Sequence, residues 1–282
     1  MKPEFMKLRA GTSWLFCPAD RPDRFDKAAS TADVVILDLE DGVAPHNRDA
    51  ARQAIASAGR HLEPDRTVIR INAHDTPDQL ADLALLAELP FTMVMLPKAA
   101  AVREITELAP LNVVVLCETV EGVLALSQMA RASNCIAISW GVHDLAADLG
   151  ASRTHHDDGA LLHFAADVRT RVRFAAAAAD VPAIDTVWIN LRDGRGLDME
   201  AVSAADMGFQ GKLVIHPEQA ASVRRSFTPS DDQLDWASRV LASAAEHGEG
   251  ASSTDGEMID RPIIERARSI WARGRSRTGD NH

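Results

Sequence analysis

The amino-acid sequence predicts an α/β fold, a TIM (β/α)8 barrel with a C-terminal helical lid extension. Eight short runs rich in Val, Ile and Leu recur along the chain, as buried parallel strands do. The spacers between them are Ala-rich and often have helical periodicity, which indicates right-handed βαβ crossovers. The 282 residues leave room for eight such units, which need about 250 residues. An open doubly wound sheet is the competing fold, but no early Gly-x-Gly-x-x-Gly turn supports it.

The predicted elements alternate along a barrel domain of residues 8–228. The predicted strands are Trp14–Cys17, Val34–Leu37, Val68–Ile71, Thr92–Leu96, Val113–Cys117, Ile136–Trp140, Ala183–Ile189 and Lys212–Ile215. The clearest helical spacers are Asp49–Ala58, Asp78–Glu88, Val120–Ala132 and Leu161–Ala179. The eighth strand completes the barrel well before the chain ends.

The remaining segment, residues 229–282, is predicted to form an appendage to the barrel. Pro229–Ala245 is typical of a helix, and Glu246–Gly256 is a polar, Gly/Ser-rich linker. Met258–Arg273 is predicted as a second helix with a basic end. Because the barrel is already complete, this lid is free to cover the barrel mouth or to reach a neighbouring subunit.

Composition and charge exclude several classes of protein. The net charge is −11, from 30 Lys and Arg against 41 Asp and Glu, which argues against a nucleic-acid or anionic-membrane binder. Cys17, Cys117 and Cys135 lie in apolar runs and suit buried thiols in a reducing compartment. No apolar run approaches the roughly 20 residues of a membrane span, and residues 1–12 lack the apolar core of a signal peptide. We therefore expect a soluble, cytoplasmic enzyme.

Polar and charged residues collect at the carboxyl ends of the predicted strands, where TIM-barrel enzymes carry their chemistry. In chain order they are Pro18 and Arg21, Asp38 to Gly42, Arg70 and Asn72, Lys98, Glu118, Asp144, Asp185 and Asn190, and His216. Burying such charges is costly unless they are paired or bind a ligand. We interpret this ring as a binding and catalytic site.

Two acids in the ring form a candidate metal site. Glu118 and Asp144 follow neighbouring strands, which lie about 5 Å apart, so both carboxylates can reach one cation. Oxygen donors with room for water suit Mg²⁺ better than Zn²⁺. The alternative is that each acid pairs with an Arg or caps the helix that follows it.

Arg70 is a candidate anchor for a substrate carboxylate, because its planar guanidinium binds carboxylates bidentately. An ion pair with the acidic segment Asp38–Asp41 is an alternative that is compatible with this role. That segment could also be a second metal site, although its acids more typically orient Arg70, Lys98 and metal-bound water. We therefore take Glu40 as a candidate catalytic residue and Lys98 as a candidate substrate-binding residue. The sequence His155-His156-Asp157-Asp158 is interpreted as a solvated loop, because adjacent residues cannot all face one ion.

Nine segments, in order and nearly spanning the chain, resemble one family. They are SWLFCPADRPDRFDKA, VVILDLEDGVAPHNRDAAR, VIRINA, VMLPKA, VVVLCETVEGV, WGVHDLAADLG, PAIDTVWINLRD, GFQGKLVIHPEQ and GEMIDRPIIERA. Together they resemble the citrate lyase β-subunit-like (CitE-like) family of the HpcH/HpaI aldolase superfamily, which includes malyl-CoA and citramalyl-CoA lyases.

The resemblance implies a Mg²⁺-dependent carbon–carbon lyase. Such an enzyme cleaves or forms a short 3-hydroxyacyl-CoA, such as malyl-, citramalyl- or citryl-CoA, with acetyl-CoA and a 2-keto acid as the other partners. Glu118 and Asp144 match the family's metal ligands. Arg70 matches the residue that holds the keto-acid carboxylate. These three residues, with Lys98, form the expected substrate-binding set.

The resemblance also implies a CoA site and an oligomer. Phe16, Arg21 and Lys27 match positions near the CoA nucleotide. Asp260 matches a catalytic acid on the C-terminal lid, which in relatives enters the neighbouring subunit's site. A homotrimer or a dimer of trimers is therefore expected.

Two departures from the family pattern stand out. His143 occupies the position before Asp144 where the family often has Glu, and Ala19-Asp20 replaces part of the phosphate-facing turn. Substrate range, metal affinity or the way CoA is held could differ as a result. A hydroxyacyl-CoA thioesterase, a CoA-independent pyruvate class II aldolase and a non-catalytic subunit stay open as alternatives.

Overall fold

The computed structural model describes residues 11–248, 252–254 and 257–275 and contains a closed barrel of eight parallel strands. The strands are β1 (Ser13–Pro18), β2 (Val34–Asp38), β3 (Thr67–Arg70), β4 (Met93–Leu96), β5 (Asn112–Cys117), β6 (Cys135–Trp140), β7 (Ala183–Asp185) and β8 (Gly211–Val214). Each strand pairs with the next in the chain, and β8 pairs with β1. The predicted TIM barrel is confirmed.

Helices follow the strands in the order that the sequence predicts. They are α1 (Phe25–Thr31), α2 (Arg48–Ser57), α3 (Pro77–Leu86), α4 (Val102–Thr106), α5 (Val120–Met129), α6 (Val142–Asp148), α7 (His163–Ala179), α8 (Gly194–Asp206) and α9 (Pro217–Phe227). In the part of the chain that the structure describes, no helix has the length and apolarity needed to cross a membrane.

The barrel interior is filled with side chains from alternate strand positions. Trp14, Ile36, Met95 and Leu116 belong to this cluster and are at most 2% exposed. Because alternate strand residues point to opposite sides, the neighbouring positions face the surrounding helices. The packed interior leaves the carboxyl ends of the strands as the place for polar side chains.

The seventh strand is shorter than predicted, because it ends at Asp185 and not at Ile189. Beyond Asp185, side chains bind the backbone carbonyls that a longer strand would pair. Thr186 O accepts a hydrogen bond from Lys212 Nζ at 2.7 Å, and Trp188 O accepts one from Gln219 Nε2 at 2.9 Å. The predicted strand continuation is therefore wrong.

The chain divides into two compact units, Met1–Arg224 and Arg225–His282. The second unit contains α10 (Asp231–His247), the antiparallel strands β9 (Ser252–Thr254) and β10 (Glu257–Ile259), and α11 (Arg261–Arg275). Ser230 caps α10 through a capping box with Gln233. The apolar core of the second unit comprises Ala237, Val240, Ile259, Ile264, Ala267 and Ile270.

Two predictions for this segment are wrong. The polar linker is partly structured, because α10 runs through His247 and residues 252–254 form a strand; residues 249–251 and 255–256 lie outside the described residues. The last helix begins at Arg261 and not at Met258, which belongs to β10. Asp260 Oδ1 accepts a hydrogen bond from the Ile263 amide at 3.3 Å, as an N-cap does. Pro262 follows in the first turn of α11. Backbone N–H groups in this turn have no acceptor within the helix, so a proline, which has no N–H, is tolerated there.

Candidate active site

Arg70 and Asp38 form a bidentate ion pair at the carboxyl ends of β3 and β2. The two residues lie opposite each other in the strand register. Arg70 Nε and Nη2 each lie 2.6 Å from one oxygen of the Asp38 carboxylate. The same carboxylate accepts the backbone amides of Glu40 at 3.0 Å and Gly42 at 2.9 Å. Asp38 therefore holds Arg70 and the turn after β2 at the same time.

Glu40 links Arg70 to Lys98. Its Oε2 lies 3.2 Å from Arg70 Nη1, and its Oε1 accepts a hydrogen bond from Lys98 Nζ. Glu40 is 3% exposed, and burial raises the pKa of its carboxyl although both cations oppose the shift. Lys98 Nζ also lies 3.3 Å from Asp41. The predicted pairing of Arg70 with the acidic segment is confirmed, and Lys98 shares it.

Phe16 lies against the guanidinium of Arg70. The guanidinium carbon is 4.7 Å from the centre of the Phe16 ring, which is a cation–π contact. Burial works to lower the pKa of Arg70, but the carboxylates of Asp38 and Glu40 outweigh it and raise the pKa. The site thus contains a fixed positive charge with defined orientation.

Lys98 has a left-handed backbone conformation, with a φ of 54° that is uncommon for a residue with a side chain. Its backbone N–H donates to Glu118 Oε1 at 2.9 Å. Its side chain reaches Glu40, and that carboxylate raises the pKa of Lys98 against the lowering effect of burial. Lys98 therefore connects Glu118, through its main chain, with Glu40, through its side chain. Such backbone strain is typical of functional sites.

Glu118 and Asp144 form an acidic pair that Arg70 and the Lys98 amide compensate only in part. Glu118 is 3% exposed at the end of β5, and Asp144 lies in the first turn of α6. Burial raises the pKa of Glu118 to about 8, and repulsion from Asp144 adds to the shift. The alternative in which Glu118 caps α5 is wrong, because Thr119 is the N-cap residue and its Oγ1 accepts the Gly122 amide.

The acidic pair fits a hard divalent cation. A Cβ atom on Gly141 would lie 2.5 Å from Glu118 Oε2, so the backbone after β6 packs directly against this carboxylate oxygen. A cation would remove the repulsion between the two carboxylates. Among the described residues, no group of three or more His, Cys, Asp and Glu side chains is arranged to hold a metal. One or two carboxylates, completed by water and substrate oxygens, are the usual donors for Mg²⁺.

The expected CoA residues lie on β1 and in the segment that follows it. Arg21 is exposed and forms an ion pair with Asp23 at 3.0 Å, and Lys27 is exposed on α1. Phe16 lies on β1 itself, in the contact with Arg70 that the sequence did not predict. Asp260 belongs to the second unit, where it caps α11. The roles of these residues in CoA binding and proton transfer stay predictions.

Asp185 does not join the polar ring, so that prediction is wrong. Its neighbour Ile184 points into the barrel, and Asp185 faces the helix layer. There its carboxylate contacts Arg169 Nη2 at 2.9 Å, Lys212 Nζ at 3.0 Å and Trp140 Nε1 at 2.9 Å. Asp185 is fully buried, and Arg169 and Lys212 neutralise its negative charge.

His155 is also placed differently from the predicted solvated loop. Its Nδ1 lies 2.8 Å from Thr154 Oγ1, and its Nε2 lies 3.3 Å from Glu200 Oε2. Its ring meets Trp188 edge-on at 5.3 Å. His143 is partly buried nearby, and burial together with the charge of His155 lowers its pKa. His155 thus packs against Trp188, in the loop after β7, and Glu200, on α8.

The sequence profile of the HpcH/HpaI aldolase/citrate lyase family matches residues 12–217. The chain belongs to this family. The citrate lyase subunit beta-like protein of Mycobacterium tuberculosis (strain ATCC 25618 / H37Rv) is 45% identical over 98% of this chain and 100% of its own length. The mitochondrial citramalyl-CoA lyase of Rattus norvegicus is 31% identical over 91% of this chain and 83% of its own. The (3S)-malyl-CoA thioesterase of Cereibacter sphaeroides (strain KD131 / KCTC 12085) is 31% identical over 93% of each chain.

Solved structures agree with this membership. CitE from M. tuberculosis in complex with magnesium, acetoacetate and coenzyme A has a TM-score of 0.90, with 45% identity over 94% of this chain and 98% of that chain. The citrate lyase beta subunit from M. tuberculosis complexed with oxaloacetate and magnesium has a TM-score of 0.77, with 46% identity over 80% of this chain and 100% of that chain. The predicted family and the assignment to the lyases are confirmed.

Proposed function

We propose that this protein is a Mg²⁺-dependent carbon–carbon lyase. It cleaves a short 3-hydroxyacyl-CoA, such as malyl-, citramalyl- or citryl-CoA, into acetyl-CoA and a 2-keto acid, and it catalyses the reverse addition. One observation carries the proposal: buried Glu118 and partly buried Asp144 share the barrel mouth with the fixed guanidinium of Arg70. The magnesium, coenzyme A and keto acids bound by its structural neighbours support the same reading.

Glu118 and Asp144 would hold the metal ion. Mg²⁺ bound there would polarise the substrate hydroxyl and the carbonyl of the keto acid that forms. Arg70 binds the carboxylate at that end of the substrate, and its charge needs no rearrangement when the reaction begins. Lys98 adds a second cation, and Glu40 orients both because it contacts each of them.

The substrate hydroxyl gives its proton to the Glu40 carboxylate, the carbon–carbon bond breaks, and the electron pair of that bond forms the enolate of the acetyl thioester. Asp260, contributed by a neighbouring subunit, gives a proton to the methyl carbon of that enolate and takes it back in the addition direction. After product release, exchange with solvent removes the proton from Glu40 and returns one to Asp260. Closure of the lid excludes water from the enolate. Phe16, Arg21 and Lys27 contact the CoA portion.

Thioester hydrolysis is the second candidate activity. It is favoured by the 31% identity to a (3S)-malyl-CoA thioesterase, because water admitted to the thioester would turn the same site into a hydrolase. A CoA-independent aldolase would have no use for Arg21 and Lys27. A non-catalytic subunit would not need Arg70, Glu118, Asp144 and Asp260 together. The cytoplasmic location and the homotrimer stay predictions.

A product assay by mass spectrometry tests these activities. Purified protein is incubated separately with malyl-CoA, citramalyl-CoA and citryl-CoA, in Mg²⁺ and in EDTA, with an Arg70→Lys preparation as the control for contaminating enzymes. Mg²⁺-dependent formation of acetyl-CoA is the expected result, and the preferred substrate names the lyase. Free CoA with intact hydroxy acid would identify a thioesterase. No change with any substrate would overturn the proposal.

A further inference from the structure

We propose that Asp38 is a positioning residue that determines which edge of Arg70 meets the substrate carboxylate. This inference rests on the proposed function, in which Arg70 binds that carboxylate. Among the described contacts, the Asp38 side chain meets neither the acidic metal pair nor Arg21 and Lys27. Its effect on the reaction therefore passes through Arg70.

The hydrogen bonds of Asp38 fix its carboxylate in a single orientation. Both oxygens are used twice: Oδ1 accepts Arg70 Nε and the Glu40 amide, and Oδ2 accepts Arg70 Nη2 and the Gly42 amide. The turn is wrapped so closely that a Cβ atom on Gly42 would collide with Oδ2. Rotation of the carboxylate would break all four hydrogen bonds, so Asp38 is a rigid reference point for the guanidinium.

Arg70 then has a defined binding side. Two of its three guanidinium nitrogens, Nε and Nη2, are held by Asp38, and the Phe16 ring covers one face. Nη1 is the nitrogen outside this pair, and it faces Glu40 at 3.2 Å. A substrate carboxylate therefore approaches from the Nη1 side, where Glu40 is the group that it must share or displace. Without Asp38, the flexible Arg side chain would turn other edges toward Glu40 and lose this orientation.

Ligand binding to the Mg²⁺-loaded enzyme separates positioning from general damage. We expect Asp38→Asn to raise the Kd for oxaloacetate or pyruvate by about 10- to 100-fold, because a misaligned Arg70 loses hydrogen bonds to the ligand carboxylate, and hydrogen bonds to charged groups contribute affinity of this order. The Kd for CoA should change much less, because Arg21 and Lys27 make no described contact with Asp38 and Phe16 meets it only through Arg70. In turnover, KM rises and kcat/KM falls for whichever hydroxyacyl-CoA the wild type accepts.

Asp33→Asn is the matched control. Asp33 precedes the same strand, β2, at the opposite end of the barrel. Its carboxylate also accepts two backbone amides, from Thr12 and Ser13, and lies 3.3 Å from an arginine, Arg224. This variant loses a partly buried carboxylate that also accepts backbone amides, far from Arg70. We expect it to lower the melting temperature without changing the Kd for the keto acid.

A double variant tests whether Asp38 acts through Arg70. In an Arg70→Lys background, which lacks the guanidinium, Asp38→Asn should add little further loss of keto-acid affinity. The same penalty in both backgrounds would overturn the inference, as would equal weakening of keto-acid and CoA binding. If Asp38→Asn does not fold, Asp38→Glu keeps the charge, displaces the carboxylate by one methylene and should show the same selective loss. Because keto-acid binding does not require turnover, a wild type inactive on all three substrates would refute the proposed function while leaving Asp38 testable.

Discussion

Gly141 and Glu118 occupy adjoining space at the ends of β6 and β5, with no room between them for a methyl group. A Cβ atom on residue 141 would lie 2.5 Å from Oε2 of Glu118 and 2.9 Å from its Cβ. The Gly141 amide donates to Cys117 O at 3.1 Å, which holds this backbone next to the strand that carries Glu118. Glu118 can therefore keep its position in the acidic pair only because residue 141 has no side chain.

Gly141→Ala should weaken Mg²⁺ binding, because the new methyl group displaces the Glu118 carboxylate. We expect a loss of affinity of about 10- to 100-fold, the size found when the support of a metal ligand is removed. Isothermal titration with Mg²⁺ measures it. Gly194→Ala is the control, since a Cβ atom there meets nothing within 4 Å. Wild-type Mg²⁺ affinity in Gly141→Ala would mean that Glu118 does not depend on this contact.

Glu118→Ala should abolish measurable Mg²⁺ binding, because half of the proposed acidic pair is lost. The effect should exceed the roughly 10- to 100-fold loss caused by changing an outer-shell partner. Glu121→Ala removes an exposed acid three residues further along the chain and should bind Mg²⁺ as the wild type does. Unchanged binding by Glu118→Ala in the same calorimeter would defeat its assignment as a ligand.

Asp260→Asn should lose nearly all turnover while Mg²⁺ affinity and melting temperature stay near those of the wild type. Asn cannot transfer the proton, but it caps a helix about as well as Asp, so α11 keeps its N-cap. Asp260→Ala should also lose the cap and about 0.5–2 kcal/mol of stability. Mass-spectrometric assays and thermal melts compare the two variants. Turnover at the wild-type rate in Asp260→Asn would remove this acid from the mechanism.

Mixed oligomers test whether Asp260 acts in a neighbouring subunit. Subunits carrying Asp260→Asn and subunits carrying Arg70→Lys are each expected to be inactive. After the two are unfolded and refolded together, some sites combine an intact Arg70 with an intact Asp260, and part of the activity returns. No recovery, despite oligomers of mixed composition by mass spectrometry, would place Asp260 outside the neighbour's site.

Acid should destabilise the protein partly through Asp33. Burial works to raise the pKa of this carboxyl, but hydrogen bonds from Ser13 and Thr12 and the charge of Arg224 take it below the ordinary 3.8. A carboxyl with a lowered folded pKa contributes stability above its unfolded pKa, and this contribution is lost as pH falls through the folded pKa. The free energy of unfolding should therefore fall below about pH 3.8, and less steeply in Asp33→Asn. Urea titrations across this range measure both slopes, and parallel slopes would contradict the assignment.

Lys212→Met should be strongly destabilising. Lys212 Nζ is fully buried and contacts Asp185 at 3.0 Å and Thr186 O at 2.7 Å, and it also contacts Glu200. Removing it leaves buried acids short of a cation, which costs about 3–5 kcal/mol. Arg171→Met breaks the exposed pair with Asp167 and should cost about 0.2–1 kcal/mol. Urea denaturation compares the variants, and equal losses would mean that buried Lys212 contributes no more to the free energy of unfolding than an exposed ion pair does.

The barrel and several members of its site were predictable from local patterns. Buried parallel strands have runs of apolar residues that stand out against Ala-rich helices, so seven of the eight strands were located closely. Arg70, Glu118 and Asp144 stood out because a charge at the end of an apolar run needs a partner. The prediction of the seventh strand was wrong at its end. The apolar residues continue past Asp185, but side chains there bind the backbone carbonyls that a neighbouring strand would bind.

The polar details depended on partners distant in the chain. The local pattern placed Asp185 in the catalytic ring, whereas a three-residue strand directs it outward to Arg169 and Lys212. Likewise, the sequence pattern placed Met258 in the last helix. In the structure it lies in β10 and pairs with Ser253 of β9, because Asp260 caps α11 and the helix begins only after it. Neither outcome follows from propensity, since each is determined by which neighbour supplies the hydrogen bond.

The residue pattern alone established the barrel, the family and the identity of the charged groups, since strand periodicity and motifs are local properties of the chain. The folded chain alone established how those groups are shared: Asp38 takes two nitrogens of Arg70, Glu40 joins Arg70 to Lys98, and the Lys98 backbone holds Glu118. Several acids compete for each cation, and only the closure of the barrel decides which of them lie within hydrogen-bonding distance.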